Sequence, residues 1–335
     1  MTKKILITGA TGFCGSHVLE SLKKEYSNKY NIIATCRDTN KLPIKYRDTA
    51  IEGNLLDTLY LDTITKEADV ICHTASWAEL NGNSEDSDRE FLKPTLKLIN
   101  KALENSVKRF VFLSAITSNP IKKEQIHSSL ELTKIWTHYA NIIKIEEYLK
   151  SIGNYDMEIV ILRVGLFTGK NYALGILPIL LPRLKTHLVP WIDGGLTSLP
   201  LIDGEDIGLA FSLASTKKLE NNYYEIDIVG KEIPSVKEVF EYLHQKHDYP
   251  LPHFSVSFSL AYLFARFMRF IYKIIPQDPL IVPAIILLLE ETHSNNNYAR
   301  EVLRYKPKVH WKDSIDTQIT QMQKEQKPNM KMNKK

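Results

Sequence analysis

Residues 4–15 read Lys4-Ile5-Leu6-Ile7-Thr8-Gly9-Ala10-Thr11-Gly12-Phe13-Cys14-Gly15. The apolar run Ile5–Ile7, closed by Thr8 and a glycine, predicts a short buried strand over Lys4–Thr8. Helical periodicity follows at once: Val18, Leu19 and Leu22 share one face of a helix predicted over Phe13–Glu25. Three glycines fill the turn between strand and helix. Gly9 permits a tight turn, Gly12 lets the backbone approach a pyrophosphate, and Gly15 lets the helix pack close to the sheet. The helix amino terminus faces the anion. A glycine triplet alone carries little weight, but one that follows a strand and opens a helix predicts a dinucleotide-phosphate cradle. The competing reading is a glycine-rich turn with a purely structural role.

Outward from this turn the first half of the chain alternates strand and helix signals. Further strands are predicted at Asn31–Cys36, Ala68–His73, Arg109–Ser114 and Met157–Arg163, with helices at Phe91–Glu104 and Leu132–Leu149. Such alternation predicts the α/β class: a Rossmann-type, doubly wound parallel sheet covered on both faces. From about residue 165 the pattern fades, and Pro178, Pro182, Pro190 and Pro200 cut the chain into short pieces. One more strand, Tyr223–Val229, and a helix from Ser235 to about Gln245 follow. The organisation read from this is a dinucleotide-binding unit at 1–164 that also receives 201–229. Segments 165–200 and 230–320 make a smaller, mostly helical substrate lobe.

The 335 residues suffice for such a unit with a second lobe. Cys14, Cys36 and Cys72 lack metal-type spacing, which predicts reduced, buried thiols and no metal site. The apolar run after Met1-Thr2-Lys3-Lys4 is too short for a signal core, so a cytoplasmic setting is expected. The formal net charge is +4. The segment 323–335 holds Lys324, Lys327, Lys331, Lys334 and Lys335 against Glu325, which accounts for all of it. The body is therefore neutral, nucleic acid is not an expected partner, and the tail is expected to be disordered.

In chain order, several further segments carry a family likeness. The turn resembles T-G-x-x-G-x-x-G. Gly53-Asn54-Leu55-Leu56-Asp57 resembles G-D-L-x-D, and Asp69–Ala75 resembles D-V-V-x-H-x-A. Leu162–Gly169 resembles L-R-P-x-x-x-Y-G, and Pro200–Ile207 resembles V-x-V-x-D-V. Together these resemble the extended short-chain dehydrogenase/reductases of the NAD-dependent epimerase/dehydratase family. The apolar second lobe is nearest in texture to the 3β-hydroxysteroid dehydrogenase branch. The resemblance implies an oxidoreductase or epimerase that acts on a secondary alcohol or ketone of a small-molecule substrate. It also implies cofactor contacts from Gly9, Thr11, Gly12, Phe13, Gly15, Asn54, Leu55, Ala75 and Val164.

The cofactor's ribose is read at the end of the second strand, where an acid would bind a 2′-hydroxyl. Arg37 stands there, with Lys41 nearby, and can pair with a 2′-phosphate; this favours NADP. Asp38 keeps NAD open if the strand ends one residue later.

The family's catalytic serine, tyrosine and lysine are displaced in this chain. Tyr139 and Glu147 match the Y-x-x-x-K-x-x-x-E frame, but Ile143 holds the lysine's place and Lys144 lies one step beyond. Ser114 takes the first serine of V-S-S, and Ala115 takes the second, usually catalytic one. Lys144 reaches Tyr139 only across a bulged helix; a regular helix is predicted. The candidate catalytic set is thus Tyr139, Ser114 and Lys144, with Thr117, His73 and His138 as substitutes. The literal Tyr242-to-Lys246 spacing lies in the second lobe and is read as coincidence. If the displaced set is inert, the chain is a silent dinucleotide-binding protein, a redox sensor or assembly partner.

Residues 258–275 form a basic amphipathic helix in pattern, with Arg266, Arg269 and Lys273 on one face. Such a helix suits peripheral membrane contact or burial in the lobe, and burial is the favoured of the two. A homodimer is a further expected partner state.

Overall fold

The apolar runs become the strands of one parallel sheet in the computed structural model, which describes residues 2–78, 84–118, 132–153, 156–172, 175–272 and 283–332. In chain order its first six strands are β1 (Lys4–Thr8), β2 (Asn31–Cys36), β3 (Ala50–Glu52), β4 (Val70–His73), β5 (Arg109–Ala115) and β6 (Glu158–Val164). Three short strands follow, β7 (Leu166–Thr168), β8 (Trp191–Ile192) and β9 (Leu201–Asp203), then β10 (Tyr223–Ile228) and β11 (Ser255–Val256). The main sheet runs β10-β6-β5-β4-β1-β2-β3, while β7 pairs with β9 and β8 with β11. The order reverses beside β1, between β2 and β4, which opens a crevice at the carboxyl ends of the strands.

Both faces of the sheet are buried, and the two-residue side-chain period divides the strands between them. Ile5, Ile7, Val111, Val160 and Leu162 pack on one face, against α1 (Phe13–Tyr26). Leu6, Phe110, Phe112, Ile159 and Ile161 pack on the other. There they meet α2 (Thr58–Lys66), α3 (Lys93–Glu104) and α4 (Thr137–Ser151). The helix predicted over Leu132–Leu149 breaks at Trp136, an extended residue that precedes α4.

The second lobe gathers α5 (Ile176–Leu184) and α7 (Val236–His247). Between them in the chain, a helix over Gly204–Thr216 (α6) packs against the main sheet through Ile207, Ala210 and Phe211. The lobe's own core joins Leu181, Phe240, Leu243, Trp311 and Ile315. Further helices are α8 (Phe258–Tyr272), α9 (Pro283–Leu288), α10 (Asn297–Leu303) and α11 (Trp311–Met332).

Two expectations change here. The backbone of 323–332, expected to be disordered, continues α11. Its helix is anchored upstream by buried Trp311, Ile315 and Ile319, and Gln321 donates to Glu325 at 2.8 Å. The helix α8 is not buried in the lobe; its large apolar side chains are mostly exposed. All three cysteines are free and buried.

His73 locks the centre of the sheet. Its Nδ1 lies 2.7 Å from Thr8 Oγ1 on β1, and its Nε2 lies 3.0 Å from Thr95 Oγ1 on α3. Burial holds its pKa down at about 3, so the ring is neutral, and both nitrogens are occupied by the fold. In the unfolded chain the ring protonates near pH 6.5. Stability is therefore expected to be lost as pH falls from about 6.5 towards 3, at about 1.4 kcal/mol per pH unit for this one group. Urea midpoints across that window will show it, and His73→Gln is expected to flatten the slope by one proton.

Candidate functional site

The cradle's three glycines are glycines for three different reasons. Gly9 has φ +72° and lies so close to β4 that a Cβ would stand 2.7 Å from Ala75 Cα. Gly15 packs onto the turn itself, where a Cβ would stand 2.2 Å from Gly9 O. Gly12 is exposed, caps α1, and donates its N–H to Gly9 O at 2.9 Å. A Cβ there meets no protein atom nearer than 3.2 Å, so what Gly12 leaves free is the outer side of the loop. The first turn of α1 carries no acid, and its free N–H groups point out of the same loop. These residues fit a pyrophosphate. Thr11 is exposed beside it, and Phe13 packs on Tyr172 and Phe167 with ring centroids 4.4 and 5.7 Å away.

The other expected cofactor residues lie along the same sheet edge. Thr8 pairs in register with Thr35 and His73, and Ala115 with Val164, so Arg37 and Ala75 follow the two strands that flank β1, and Val164 ends β6, two strands beyond β4. Arg37 is exposed and makes no hydrogen bond or ion pair with the described residues. Asp38 turns its carboxylate to Asn40 N at 3.0 Å, capping a short turn over Thr39–Lys41. Lys41 is exposed, Leu55 is half-buried, and Asn54 is exposed with its Oδ1 accepting from Leu56 N at 3.1 Å.

The three displaced catalytic residues are not brought together. Tyr139 is fully buried, and its hydroxyl donates to the Thr117 carbonyl at 2.5 Å. Burial, with the charge of Glu146, holds the phenol well above its ordinary pKa; Arg163 opposes this only in part. Lys144 is exposed and its ammonium donates to Asn141 Oδ1 at 3.2 Å. The helix is regular, and five residues of it turn Lys144 roughly 140° away from Tyr139. Ile143 packs beside Tyr139 and Leu287 of α9.

Ser114 is spent elsewhere. Its Oγ donates to Glu146 Oε1, as does Ser118 Oγ at 2.8 Å. Arg163 binds the same carboxylate through Nε at 3.1 Å and through a terminal nitrogen at 2.6 Å. It also reaches Glu225 at 2.9 Å. The glutamate matched to the family frame, Glu147, is exposed; the buried one is Glu146. The sequence held a signal for this: Arg163 interrupts an otherwise apolar buried strand, and a buried guanidinium requires a partner.

His138 is buried against Phe91 and Trp136, and burial lowers its pKa to about 4. Its Nε2 is 3.5 Å from Ser76 Oγ, one residue beyond Ala75 at the cradle. His138 Nδ1 and Thr117 Oγ1 are buried without hydrogen-bond partners. Tyr242 donates to Asp316 at 2.8 Å in the second lobe, away from the cradle.

The profile of the NAD dependent epimerase/dehydratase family matches residues 5–227. Aldehyde reductase 2 of Sporidiobolus salmonicolor is 28% identical over 144 residues, 39% of this chain and 41% of that protein. A dTDP-D-glucose 4,6-dehydratase of Dictyostelium discoideum is 24% identical over 254 residues, 67% of this chain and 58% of that protein. The chain thus spans about half the length of the curated relatives it matches. The fold is also that of a UDP-glucuronic acid 4-epimerase from Bacillus cereus in complex with UDP-glucuronic acid and NAD. The TM-score is 0.67 at 17% identity, covering 94% of this chain and 97% of that one.

Two substitutions separate binding from folding at the cradle. Gly12→Val leaves the fold near its parent stability and is expected to abolish dinucleotide binding. Gly15→Val is expected to destabilise by about 3 kcal/mol or more, because the clash is with backbone. Thermal unfolding and dinucleotide titration, run on both, check this; unimpaired binding by Gly12→Val shows the cradle to be misassigned.

Proposed function

The chain belongs to the NAD dependent epimerase/dehydratase family, and from that membership we propose that it binds a nicotinamide dinucleotide without running a serine–tyrosine–lysine proton relay. The observation that carries the second half is the Tyr139 hydroxyl, closed off on the Thr117 carbonyl, with Lys144 turned to Asn141 instead. A relay needs a phenol whose proton leaves at neutral pH, which a neighbouring cation promotes. Here the phenol is pushed the other way. The dinucleotide, when bound, supplies a hydride acceptor or donor at its nicotinamide. The chain's own part is to hold the pyrophosphate on the Gly12 turn and the amino terminus of α1. Arg37 favours the 2′-phosphorylated ribose, since its exposed guanidinium follows β2 with no partner among the described residues while Asp38 is committed to its own turn. Such a protein responds to dinucleotide level as a sensor or assembly partner.

A second reading, turnover of a secondary alcohol or ketone, is favoured by the two unpartnered buried atoms, Thr117 Oγ1 and His138 Nδ1. An unmet buried group costs about 1–3 kcal/mol, which a substrate oxygen would offset. Counting the family frame back from Glu146 instead of Glu147 places His138 in the tyrosine's position. Its neutral imidazole is suited to donating a hydrogen bond to an oxygen.

Fluorescence titration with NADPH and NADH is expected to show binding, tighter for NADPH. Arg37→Ala is expected to weaken NADPH at least tenfold and NADH little; equal loss of both overturns the choice of cofactor. Against UDP-glucose, dTDP-glucose and pooled ketones the parent is expected to give no nicotinamide turnover. Tyr139→Phe is expected to bind unchanged and to lose about 1 kcal/mol of stability. Turnover that collapses in Tyr139→Phe contradicts the proposal, whereas turnover that survives it but collapses in His138→Ala establishes the second reading.

A further inference from the structure

The helix α8 presents an apolar face to solvent. Leu260, Leu263, Phe264, Phe267 and Phe270 are 47 to 65% exposed. At about 100° per residue they fall within a sector roughly 120° wide. The opposite side is already used: Ala261 and Ala265 are buried against Ile286 of α9. A contiguous row of large apolar side chains in water marks a surface that something covers.

The charges around the row name what covers it. Arg266 and Arg269 are exposed and lie on one side of it, about 40° and 100° beyond its edge. Arg266 lies over the Tyr262 ring at 5.9 Å, and neither arginine has a carboxylate partner among the described residues. No acidic residue occurs anywhere from Tyr249 to Gln277. We infer that α8 is a docking face for an anionic lipid bilayer, lying in the headgroup plane with its apolar row in the acyl boundary, Arg266 at the row's edge on lipid phosphates, and Arg269 adding to the positive field. A basic amphipathic helix with aromatic and leucine side chains on one face has this physical preference. The helix does not cross: among the described residues no helix is long and apolar enough to span. A second copy docking by the same face would bring two more guanidinium groups and no carboxylate from this helix, so self-association is disfavoured.

Flotation of the full chain with vesicles tests this. Vesicles of phosphatidylcholine with three-tenths phosphatidylserine are expected to carry the protein, and pure phosphatidylcholine vesicles to carry far less. Raising the salt from about 0.1 to 0.5 M is expected to reduce binding by screening. Arg266→Gln with Arg269→Gln is expected to weaken partition onto the anionic vesicles roughly 30-fold. Phe264→Ser with Phe267→Ser is expected to abolish it. Both pairs are expected to keep the parent's melting temperature and dinucleotide affinity, since all four side chains are exposed. Should the phenylalanine pair misfold, the arginine pair decides alone. Absence of binding to anionic vesicles, or binding that neither pair alters, overturns the proposal. So does a dimer in sedimentation velocity that the phenylalanine pair dissolves while vesicles stay unbound; that result assigns the face to a second copy.

Discussion

A guanidinium inside a parallel sheet is the constraint around which the carboxyl edge of β5 and β6 is arranged. Arg163 stands on β6 between strands on both sides, where an unpaired charge is untenable. Glu146 answers it from α4, Glu225 from β10, and the Glu146 carboxylate then collects the hydroxyls of Ser114 and Ser118. Removing either member of such a buried pair typically costs about 3–5 kcal/mol, because the survivor is left charged and dry. The pair therefore fixes the helix against the sheet and spends the hydroxyls that end β5. Tyr139, two turns earlier on the same helix, is held with its oxygen on a backbone carbonyl.

This arrangement explains how an intact glycine turn coexists with dispersed Ser114, Tyr139 and Lys144 side chains. The two depend on different chemistry. The cradle needs only the absence of side chains, at Gly9, Gly12 and Gly15, and backbone geometry supplies the rest. A relay needs several side chains whose charges act on one another at short range. One residue of displacement, from 143 to 144, is enough to turn a cation to the wrong side of a helix. Anion binding survives small changes of sequence that proton transfer does not.

How far the molecule was legible follows the same division. The central strands could be read because Ile5, Leu6 and Ile7 are apolar in an unbroken run, and only burial on both faces rewards that. The glycine turn could be read because glycine spacing is a backbone property. The short strands β3, β7 and β9 were not visible, because three residues hold too little pattern. Glu146 was missed in favour of Glu147, since adjacent glutamates look alike until the turn of the helix says which is buried. For α8 both burial and surface contact were open, and the favoured burial is the one the structure corrects. Periodicity shows that a helix has an apolar side, not that its opposite side is the one packed on the protein.

The interleaving of the lobe with the sheet has a consequence for how the chain comes into being. β10 docks on β6 in register from Tyr223↔Ile159 to Ile228↔Val164, so the sheet closes with a strand made long after its neighbour. While residues 165–222 are being synthesised, a process of several seconds at ordinary ribosomal speed, β6 has no partner along one side. A nascent chain in that state offers an open, apolar strand with an arginine in it to any extended peptide nearby. The charged residue is itself a guard: Arg163, before Glu225 arrives, discourages an apolar strand from adding in its place. Excision of residues 1–164 as an independent unit would make that transient opening permanent, so the half of this protein that carries the parallel sheet has no natural carboxyl terminus short of β10.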